Sequence, residues 1–300
     1  MFKNLCVYRI SPQWSCSLDQ IEAKLQERHF VPCSASQPRS AGWIAPRNID
    51  NAPLVESIGG HWLLRLMVEQ KVLPGSVVKR RMQEMAQQIE KASGRKPGKK
   101  QMKEIKEDAT LELLPMAFTK QAGVNVWIDP KNQLLTLDCS SQAKPDEVLT
   151  CLVEAMPDFA VNQLNTNTSP AVCMSEWLLT AEPPQNFSID RECELKSSDD
   201  MKSVVKYARH HLDIDEVRQH ISSGKQPTKL AMTWNDRVSF MLTDTLCVKR
   251  LSFQDVVFEA QSKEKDDEFD ADAAIATGEL SNFLPDLIAA LGGEMEFAGG

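Results

Sequence analysis

Lysine and arginine side chains are concentrated in one segment of this otherwise acidic sequence. Between Lys71 and Lys106 there are eleven Lys or Arg and three Glu, whereas the whole chain of 300 residues has a formal net charge of −8. A local positive field attracts polyanions, and Lys and Arg neutralise phosphates, so the segment predicts binding to DNA or RNA. The candidate phosphate-binding residues are Lys79, Arg80, Arg81, Lys91, Arg95, Lys96, Lys99, Lys100 and Lys103. The alternative is a solvated, charged helix face without a ligand.

A second basic group lies in the C-terminal half. Lys202, Lys206, Arg209 and His210 would share one side of a helix predicted from about Asp199 to His211. The alternative is the wet side of an amphipathic helix whose dry side is formed by Val204, Val205, Ala208 and Leu212. We expect these four residues to contact DNA, and the alternative of a solvent-exposed helix side without a ligand stays open.

Carboxylates accumulate at the other end of the chain. From residue 254 to residue 300 there are twelve Asp or Glu and two Lys. We expect this acidic end to repel nucleic acid or to pair with a basic surface in an oligomer. Glu268, Asp270, Asp272 and Glu279 stand at positions 1, 3, 5 and 12 of a calcium-binding loop, but Ala273 replaces the glycine that position 6 requires. The same carboxylates leave a magnesium-dependent nuclease as a lesser alternative.

Motifs of the common enzyme classes are missing from the sequence. There is no GxxxxGK[ST] phosphate loop, no GxGxxG and no GxSxG elbow, and the eight cysteines and five histidines show no metal-ligand spacing. We therefore predict a protein that is not an enzyme and that needs no metal or cofactor. No apolar run approaches the roughly 20 residues that span a bilayer, and the first residues do not resemble a secretory signal, so we expect a cytoplasmic protein.

The basic segment has the periodicity of two helices. Apolar residues recur at helical spacing from Val78 to Ala92 and again from Met102 to Leu113, and Ser93–Gly98 interrupts them with Gly and Pro. This pattern predicts an antiparallel helical hairpin over residues 76–114. Because its apolar seam is thin, we expect the hairpin to project from the body as a basic arm. Phe118, just after it, is either a core residue or an apolar wedge presented to bases.

Period-two patterns surround this arm and predict an α+β fold with mostly antiparallel sheets. Strand pairs are predicted for 125–129 with 134–139 and for 228–234 with 237–242, the latter extended by 249–253. A helix is predicted over 146–155, and the polar stretch 163–170 is the best candidate boundary. We expect residues 1–75 and 115–165 to form an N-terminal and central α+β region, 76–114 the arm, and 166–300 a C-terminal α+β region with the acidic end.

Short segments along nearly the whole chain resemble one bacterial family. They begin with Met1–Leu5, Val7–Arg9, Gly42-Trp43 before Pro46, Lys71–Pro74, Leu113–Pro115, Ala117-Phe118 and Trp127–Asp129. They continue with Glu194–Lys196, Lys229–Ala231, Trp234, Arg237, Lys249–Leu251, Phe253, Phe269–Asp272, Thr277–Leu280 and Leu291–Glu294. Each segment is weak alone, but their shared order makes the match specific. The sequence resembles the recombination-associated RdgC family.

The resemblance implies a nucleoid-associated protein that binds DNA with little sequence preference. It further implies a ring-shaped homodimer with double-stranded DNA through its hole, and restraint of RecA-dependent recombination by occupation of the DNA. Binding to single-stranded DNA and direct contact with RecA stay open. Two other function classes also stay open: a coiled-coil-like adaptor that binds an acidic protein through the hairpin, and the nuclease that would use Asp270 and Asp272.

Overall fold

A computed structural model describes residues 2–49, 51–140, 143–156, 158–199, 202–257 and 268–295. Within these ranges the chain is α+β, and its named strands pair antiparallel in two sheets, as the sequence predicts. The helices are α1 (Leu18–Gln26), α2 (Gly75–Ser93), α3 (Lys99–Leu113), α4 (Ala143–Ala155), α5 (Pro170–Thr180), α6 (Asp215–Ser222) and α7 (Glu268–Ala290). None of the helices in these ranges has the length and apolar character to cross a membrane.

The first sheet is built from β1 (Cys6–Ile10), β2 (Arg39–Ile44), β3 (Val55–Ile58), β4 (His61–Val72), β5 (Phe118–Asp129), β6 (Leu134–Leu137) and β7 (Val161–Gln163). Its strand order is β2-β4-β5-β6-β1-β7, and β3 pairs with β4. The second sheet contains β8 (Phe187–Ser197), β9 (Val204–Ala208), β10 (Lys225–Trp234), β11 (Val238–Thr243) and β12 (Val248–Phe253), in the order β12-β11-β10-β8-β9.

Local turn chemistry explains both predicted strand pairs. Between β5 and β6 the Asp129 carboxylate accepts hydrogen bonds from the backbone N–H of Asn132 at 3.0 Å and from its side-chain amide at 2.8 Å. In the three-residue connection between β10 and β11, Asn235 and Asp236 both adopt positive φ and the Arg237 N–H donates to the Trp234 carbonyl at 2.8 Å, as in a turn of type I′. The β10-β11-β12 meander and the β5-β6 hairpin are therefore confirmed.

Side chains point alternately to the two faces of the first sheet, and each face packs against a different hydrophobic core. On one face, Leu64 and Val126 pack with Ile21 of α1 and Leu152 of α4 in the first core. On the other face, Leu63 and Trp127 belong to the second core, together with the apolar residues of α5, α7 and the second sheet. Because neighbouring residues of a strand point to opposite faces, the central strands contribute to both cores.

Helix α7 lies in the second core, which contains residues of both predicted regions. Leu280, Phe283, Leu284 and Leu287 are buried there together with Phe2 of the N-terminal segment. Fully burying an apolar side chain of this size contributes roughly 1.5 to 3 kcal/mol. The division of the chain at residues 163–170 stays a prediction.

The helix predicted from Asp199 to His211 is wrong. Residues Val204–Ala208 form β9, which pairs antiparallel with β8, and Lys202 and Arg209 at either side have positive φ. Residues 200 and 201 lie outside the described residues. The β-branched pair Val204-Val205 and the burial of Tyr207 fit a pleated strand, and pairing with β8 outweighs the weak helical spacing of the basic residues.

The backbone gives a second reason, beside Ala273 at position 6, against a calcium-binding loop in this segment. Residues Glu268 to Glu279 lie entirely in α7, whereas a calcium-binding loop needs irregular backbone between two helices. Five carboxylates of the acidic end, Glu259, Glu264, Asp266, Asp267 and Glu296, lie outside the described residues.

Candidate nucleic-acid interface

Helices α2 and α3 pack against each other in antiparallel orientation. Val78, Ile105 and Ala109 are buried, and Arg81 on α2 binds Glu112 on α3 through two hydrogen bonds of 3.0 and 2.7 Å. Because Arg81 stands near the start of α2 and Glu112 near the end of α3, this bidentate pair fixes the two helices in register.

The connection between the two helices is a tight turn. Gly94 ends α2 with a φ of 69°, and its N–H donates to the Glu90 carbonyl at 2.8 Å. Glycine reaches this left-handed conformation without strain, and Pro97 three residues later cannot continue a helix. The chain therefore reverses direction within a few residues and brings the end of α2 beside the start of α3.

Five cations surround this turn, and we call them the tip cluster: Lys91, Arg95, Lys96, Lys99 and Lys100. All five side chains are exposed. None of them forms a salt bridge with any residue that the structure describes, and the sequence from Lys91 to Lys103 contains no acid. Five exposed positive charges on a short turn give a local field that favours phosphate.

The other candidate cations of the two helices differ from the tip cluster in their partners. Arg81 is held by Glu112 and Glu84, and the hydrogen bond to Glu112 raises the pKa of its guanidinium. Arg80 lies 4.0 Å from Glu84, and Lys103 lies 3.9 Å from Glu107. Both pairs are exposed and of little strength, so Arg80 and Lys103 can exchange a carboxylate for a phosphate. Lys79 is exposed on the same helix as Arg80.

Lys71, the first of the eleven cations counted in the sequence, is buried. Its ammonium donates to the carbonyl oxygens of Ala35 at 2.8 Å and Leu114 at 3.0 Å. These bonds tie the end of β4 to the end of the helical pair. The side chain therefore supports the base of the two helices and is withdrawn from any phosphate.

Phe118 is not a core residue, and that branch of the prediction is wrong. Its side chain is 87% exposed, because it opens β5 at the end of the sheet, opposite Val72 of β4. Leu111 and Met116 nearby are 60% and 71% exposed, and Val72 is 46% exposed. We call Val72, Leu111, Met116 and Phe118 the basal apolar patch. Exposed apolar side chains at the end of β4 and between the end of α3 and the start of β5 make this region a candidate contact surface.

Sequence reasoning found only Phe118 of the basal apolar patch. Leu111 carries a signal, since it lies off the helical stripe formed by Ile105 and Ala109. Met116 follows Pro115 in a short 3-10 helix, and nothing in its sequence context indicates exposure.

The four residues of the second basic group do not lie on one side of a helix, because β9 stands where that helix was predicted. Lys206 projects from β9 and lies 3.1 Å from Glu194 of β8, which also accepts from Lys229 at 3.0 Å. Burial opposes ionisation of Glu194, but hydrogen bonds from Lys229, Lys206 and Thr228 lower its pKa to about 2. Lys202, Arg209 and His210 lie in the turns before and after β9, and all three are exposed.

Carboxylates of the described acidic end are engaged within the chain. Asp270 binds Arg47 at 2.9 Å, and Glu279 accepts from Arg237 at 2.9 Å. Asp286 accepts from the Trp234 indole N–H at 2.8 Å, and Glu294 accepts from Arg9 at 2.9 Å. These contacts fasten α7 and the segment after it to both sheets. Four carboxylates of this end therefore form contacts within the fold.

Comparison with known proteins places the whole chain in one group. A family model described as "Putative exonuclease, RdgC" matches residues 1–294. The recombination-associated protein RdgC of Dechloromonas aromatica is 44% identical over 300 residues, which cover 98% of each chain. The chain belongs to the RdgC family. RdgC of Cupriavidus necator is 46% identical over 296 residues and RdgC of Bordetella pertussis 44% over 296 residues, again over 98% of each chain.

The family assignment confirms the resemblance seen in the sequence. The relatives carry the name of a recombination-associated protein, and the family model carries a description as an exonuclease. In the described part of this RdgC-family chain, no group of three or more His, Cys, Asp or Glu side chains is arranged to hold a metal ion. Asp270, a residue of the nuclease hypothesis, is paired with Arg47.

Proposed function

We propose that this RdgC-family protein binds DNA with little sequence preference through the tip cluster and acts in recombination. The observation that carries the proposal is the set of five exposed cations that no acid of the described chain neutralises. Each cation that meets a phosphate releases a condensed counterion, and this gain in entropy does not depend on the bases. The proposal assigns Lys79, Arg80 and Lys103 to the flanks of the same contact.

The shape of the helical pair supports this assignment. Nineteen residues of α2 give a helix about 28 Å long, which exceeds the roughly 20 Å diameter of a DNA duplex. The buried positions of α2 and α3 are few, and they face the seam between the helices. We propose that the pair is a basic arm whose tip cluster and flanks follow the phosphate backbone.

We further propose that two copies form a ring around duplex DNA and that the basal apolar patch borders the DNA or the partner copy. One chain cannot easily surround a duplex, whereas two arms can approach it from opposite sides. An exposed Phe is also able to insert between base pairs, as apolar wedges do. A homodimer that occupies DNA in this way would restrain RecA-dependent strand exchange and would be found on the nucleoid.

The central experiment measures binding to duplex and single-stranded DNA by fluorescence anisotropy at several salt concentrations. If about six phosphates are neutralised, the plot of log K against log salt should have a slope near −5 on duplex DNA. Duplexes of unrelated sequence should give the same affinity. A slope near zero, or no DNA-dependent change at all, would reject the proposal and leave the adaptor interpretation.

Ring formation is tested separately with circular and linear DNA of the same sequence. A closed ring should remain on a covalently closed circle after transfer to high salt and should slide off the ends of the linear form. Equal dissociation of the protein from circular and linear DNA would reject encirclement, but it would leave the proposal of DNA binding unaffected. The dimer itself is tested by light scattering, which should give twice the mass of one chain.

The exonuclease description of the family calls for a direct assay. Incubation with end-labelled duplex and single-stranded DNA, with and without magnesium, should leave the DNA intact. Release of nucleotides that depends on Asp270 and Asp272 would instead show the nuclease. In a RecA strand-exchange assay, protein added before RecA should lower the yield in proportion to DNA occupancy.

A further inference from the structure

Two cysteines from opposite halves of the chain face each other in the interior. Cys6 of β1 and Cys247 in the turn between β11 and β12 have their Sγ atoms 3.3 Å apart, although 241 positions separate them in sequence. Both side chains are buried, and Cys247 packs in the first core beside Cys6. The proposed DNA-binding function uses neither residue.

The backbone places the two residues at a position suited to a disulfide. Leu5 and Val248 exchange both backbone hydrogen bonds, at 2.8 and 3.0 Å, as a hydrogen-bonded antiparallel pair does. The next residues along each segment, Cys6 and Cys247, therefore oppose each other in a non-hydrogen-bonded pair, where Cα atoms are about 4.5 Å apart. That separation lies within the range that a disulfide spans, so a bond would need little backbone movement.

A cavity gives small reagents access to this pair. It has a volume of about 420 Å³, and Cys6, Cys247 and three lysines, Lys196, Lys229 and Lys249, contribute to its lining. A hydroperoxide fits in such a space. Glu194 and Asp244 also line the cavity, and Lys229 is bound to Glu194, so Lys249 is the cation that favours an anionic Cys247 sulfur.

The surroundings of the two thiols differ. The hydrogen bond that Cys247 shares with Cys6, together with Thr245 and the Lys249 ammonium, lowers the pKa of Cys247, although burial opposes the shift. The pKa of Cys6 is raised, because its proton is held against Cys247 and its side chain is buried. Cys247 is therefore the nucleophile of the pair, since the thiolate is the reactive form.

We propose that Cys6 and Cys247 form a reversible dithiol–disulfide site, oxidised by hydroperoxides, that fastens the first strand of the first sheet to the β11–β12 turn of the second sheet. With hydrogen peroxide as the oxidant, the Cys247 thiolate attacks one peroxide oxygen, so an S–O bond forms and the O–O bond breaks. The departing hydroxide takes a proton from solvent and leaves as water, whereas an organic hydroperoxide would release its alcohol. The Cys6 sulfur then attacks the sulfur of the Cys247 sulfenic acid. An S–S bond forms, the S–O bond breaks, and a second water leaves with the Cys6 proton.

The consequence is a covalent link across the interface of the two sheets. Such a link closes a loop of most of the chain and restricts the unfolded state, so the oxidised protein should unfold at a higher temperature, by roughly 5 to 10 °C. Reduction by a dithiol reagent should reverse the shift.

The test treats the whole protein with hydrogen peroxide, blocks the remaining thiols and maps the peptides by mass spectrometry. We expect a linked peptide pair containing Cys6 and Cys247, a loss of about two mass units in the intact protein, and restoration by reduction. Free thiols at both positions after treatment would overturn the proposal. The readout does not involve DNA, so it is independent of the proposed function.

Substitutions identify the pair. Cys6→Ser should leave Cys247 as a sulfenic acid that a dimedone probe labels, whereas Cys247→Ser should leave Cys6 unlabelled. Cys139 is the sharpest control, because its carbonyl oxygen lies 3.6 Å from the Cys6 sulfur and the residue lies in the same core. The Cys139→Ser variant should retain the linked peptide. So should the Cys193→Ser variant, because the thiol of Cys193 lies in the second core, where burial raises its pKa to about 12. A link from Cys139 to either residue in the parent protein would overturn the assignment.

Discussion

Removal of the charges at the turn between α2 and α3 is the most direct test of the proposed DNA contact. We consider the replacement of Arg95, Lys96, Lys99 and Lys100 by Gln. All four side chains are exposed and make no salt bridge with the described residues, so the free energy of unfolding should change by less than about 0.5 kcal/mol per site. A change in DNA binding would then report the contact and not the fold.

The expected magnitude follows from counterion release. Each phosphate contact on duplex DNA contributes about 0.9 to the slope of log K against log salt, so the loss of four contacts should make the slope shallower by about 3 to 4. If the parent and the variant reach equal affinity near 1 M salt, this difference corresponds to binding that is roughly 10³- to 10⁴-fold weaker at 0.1 M. The loss should be equal for duplexes of different sequence, because phosphates carry no base information.

A matched control removes the same number of charges elsewhere. Lys24, Arg28, Arg39 and Lys131 are exposed cations outside the two helices, and their replacement by Gln changes the net charge by the same amount. Lys24, Arg28 and Arg39 form exposed salt bridges with Glu27, Glu154 and Glu147, which contribute little to stability, so this control matches the change in charge and not the ion pairing. Anisotropy titrations at four salt concentrations should give the parent slope for this control. Affinity of the Arg95, Lys96, Lys99 and Lys100 variant within twofold of the parent, or an equal loss in both variants, would refute the proposed contact.

Three further predictions concern residues around α2 and α3 and in the second sheet. Lys71→Met should lower the free energy of unfolding in urea by about 1 to 3 kcal/mol, because the buried carbonyl of Leu114 and the partly buried carbonyl of Ala35 lose their donor, and should leave the salt slope unchanged. Phe118→Ala should keep the melting temperature, since the side chain is 87% exposed, but should weaken DNA binding or dimerisation in anisotropy and light-scattering measurements. Glu194→Gln should destabilise the protein at pH 7 by about 1 to 3 kcal/mol through its lysine contacts. Because the folded pKa of Glu194 is about 2 and its unfolded pKa is higher, that contribution is present above about pH 4.3 and is lost as pH falls toward 2, where urea melts of variant and parent should converge.

The sequence predicted those elements whose signals are local. The β5–β6 and β10–β11 hairpins were identified because alternation and turn residues agree, and α4 because its apolar stripe lies within one helix. β9 was missed for the opposite reason. Its place depends on pairing with β8, and this long-range contact leaves no mark in a segment of mixed Val, Lys and Tyr.

For the candidate site, the sequence supplied the charges but not their partners. Lys71, Lys91 and Lys206 are equivalent by residue type, yet one is buried against carbonyls, one is exposed without a salt bridge to the described residues, and one is held by Glu194. These differences arise from residues distant in sequence. A count of Lys and Arg in the sequence therefore overstates the exposed positive charge where a cation is buried or paired, as at Lys71 and Lys206. It gives the exposed charge correctly at Lys91.

The same distinction changes the role of the acidic end. From the sequence, its carboxylates would keep DNA away from the outer surface. In the structure, Asp270, Glu279 and Glu294 each bind an arginine of the body, so these negative charges neutralise positive charges next to them. Paired charges produce little field beyond a Debye length, about 10 Å at 0.1 M salt. The tip cluster has no such partners in the described chain, so its field persists outward. The uneven distribution of charge over the molecule therefore depends on where ion pairs form. Weakening the ion pairs of Asp270, Glu279 and Glu294 should disturb the packing of α7 before it changes the proposed attraction of DNA to the tip cluster.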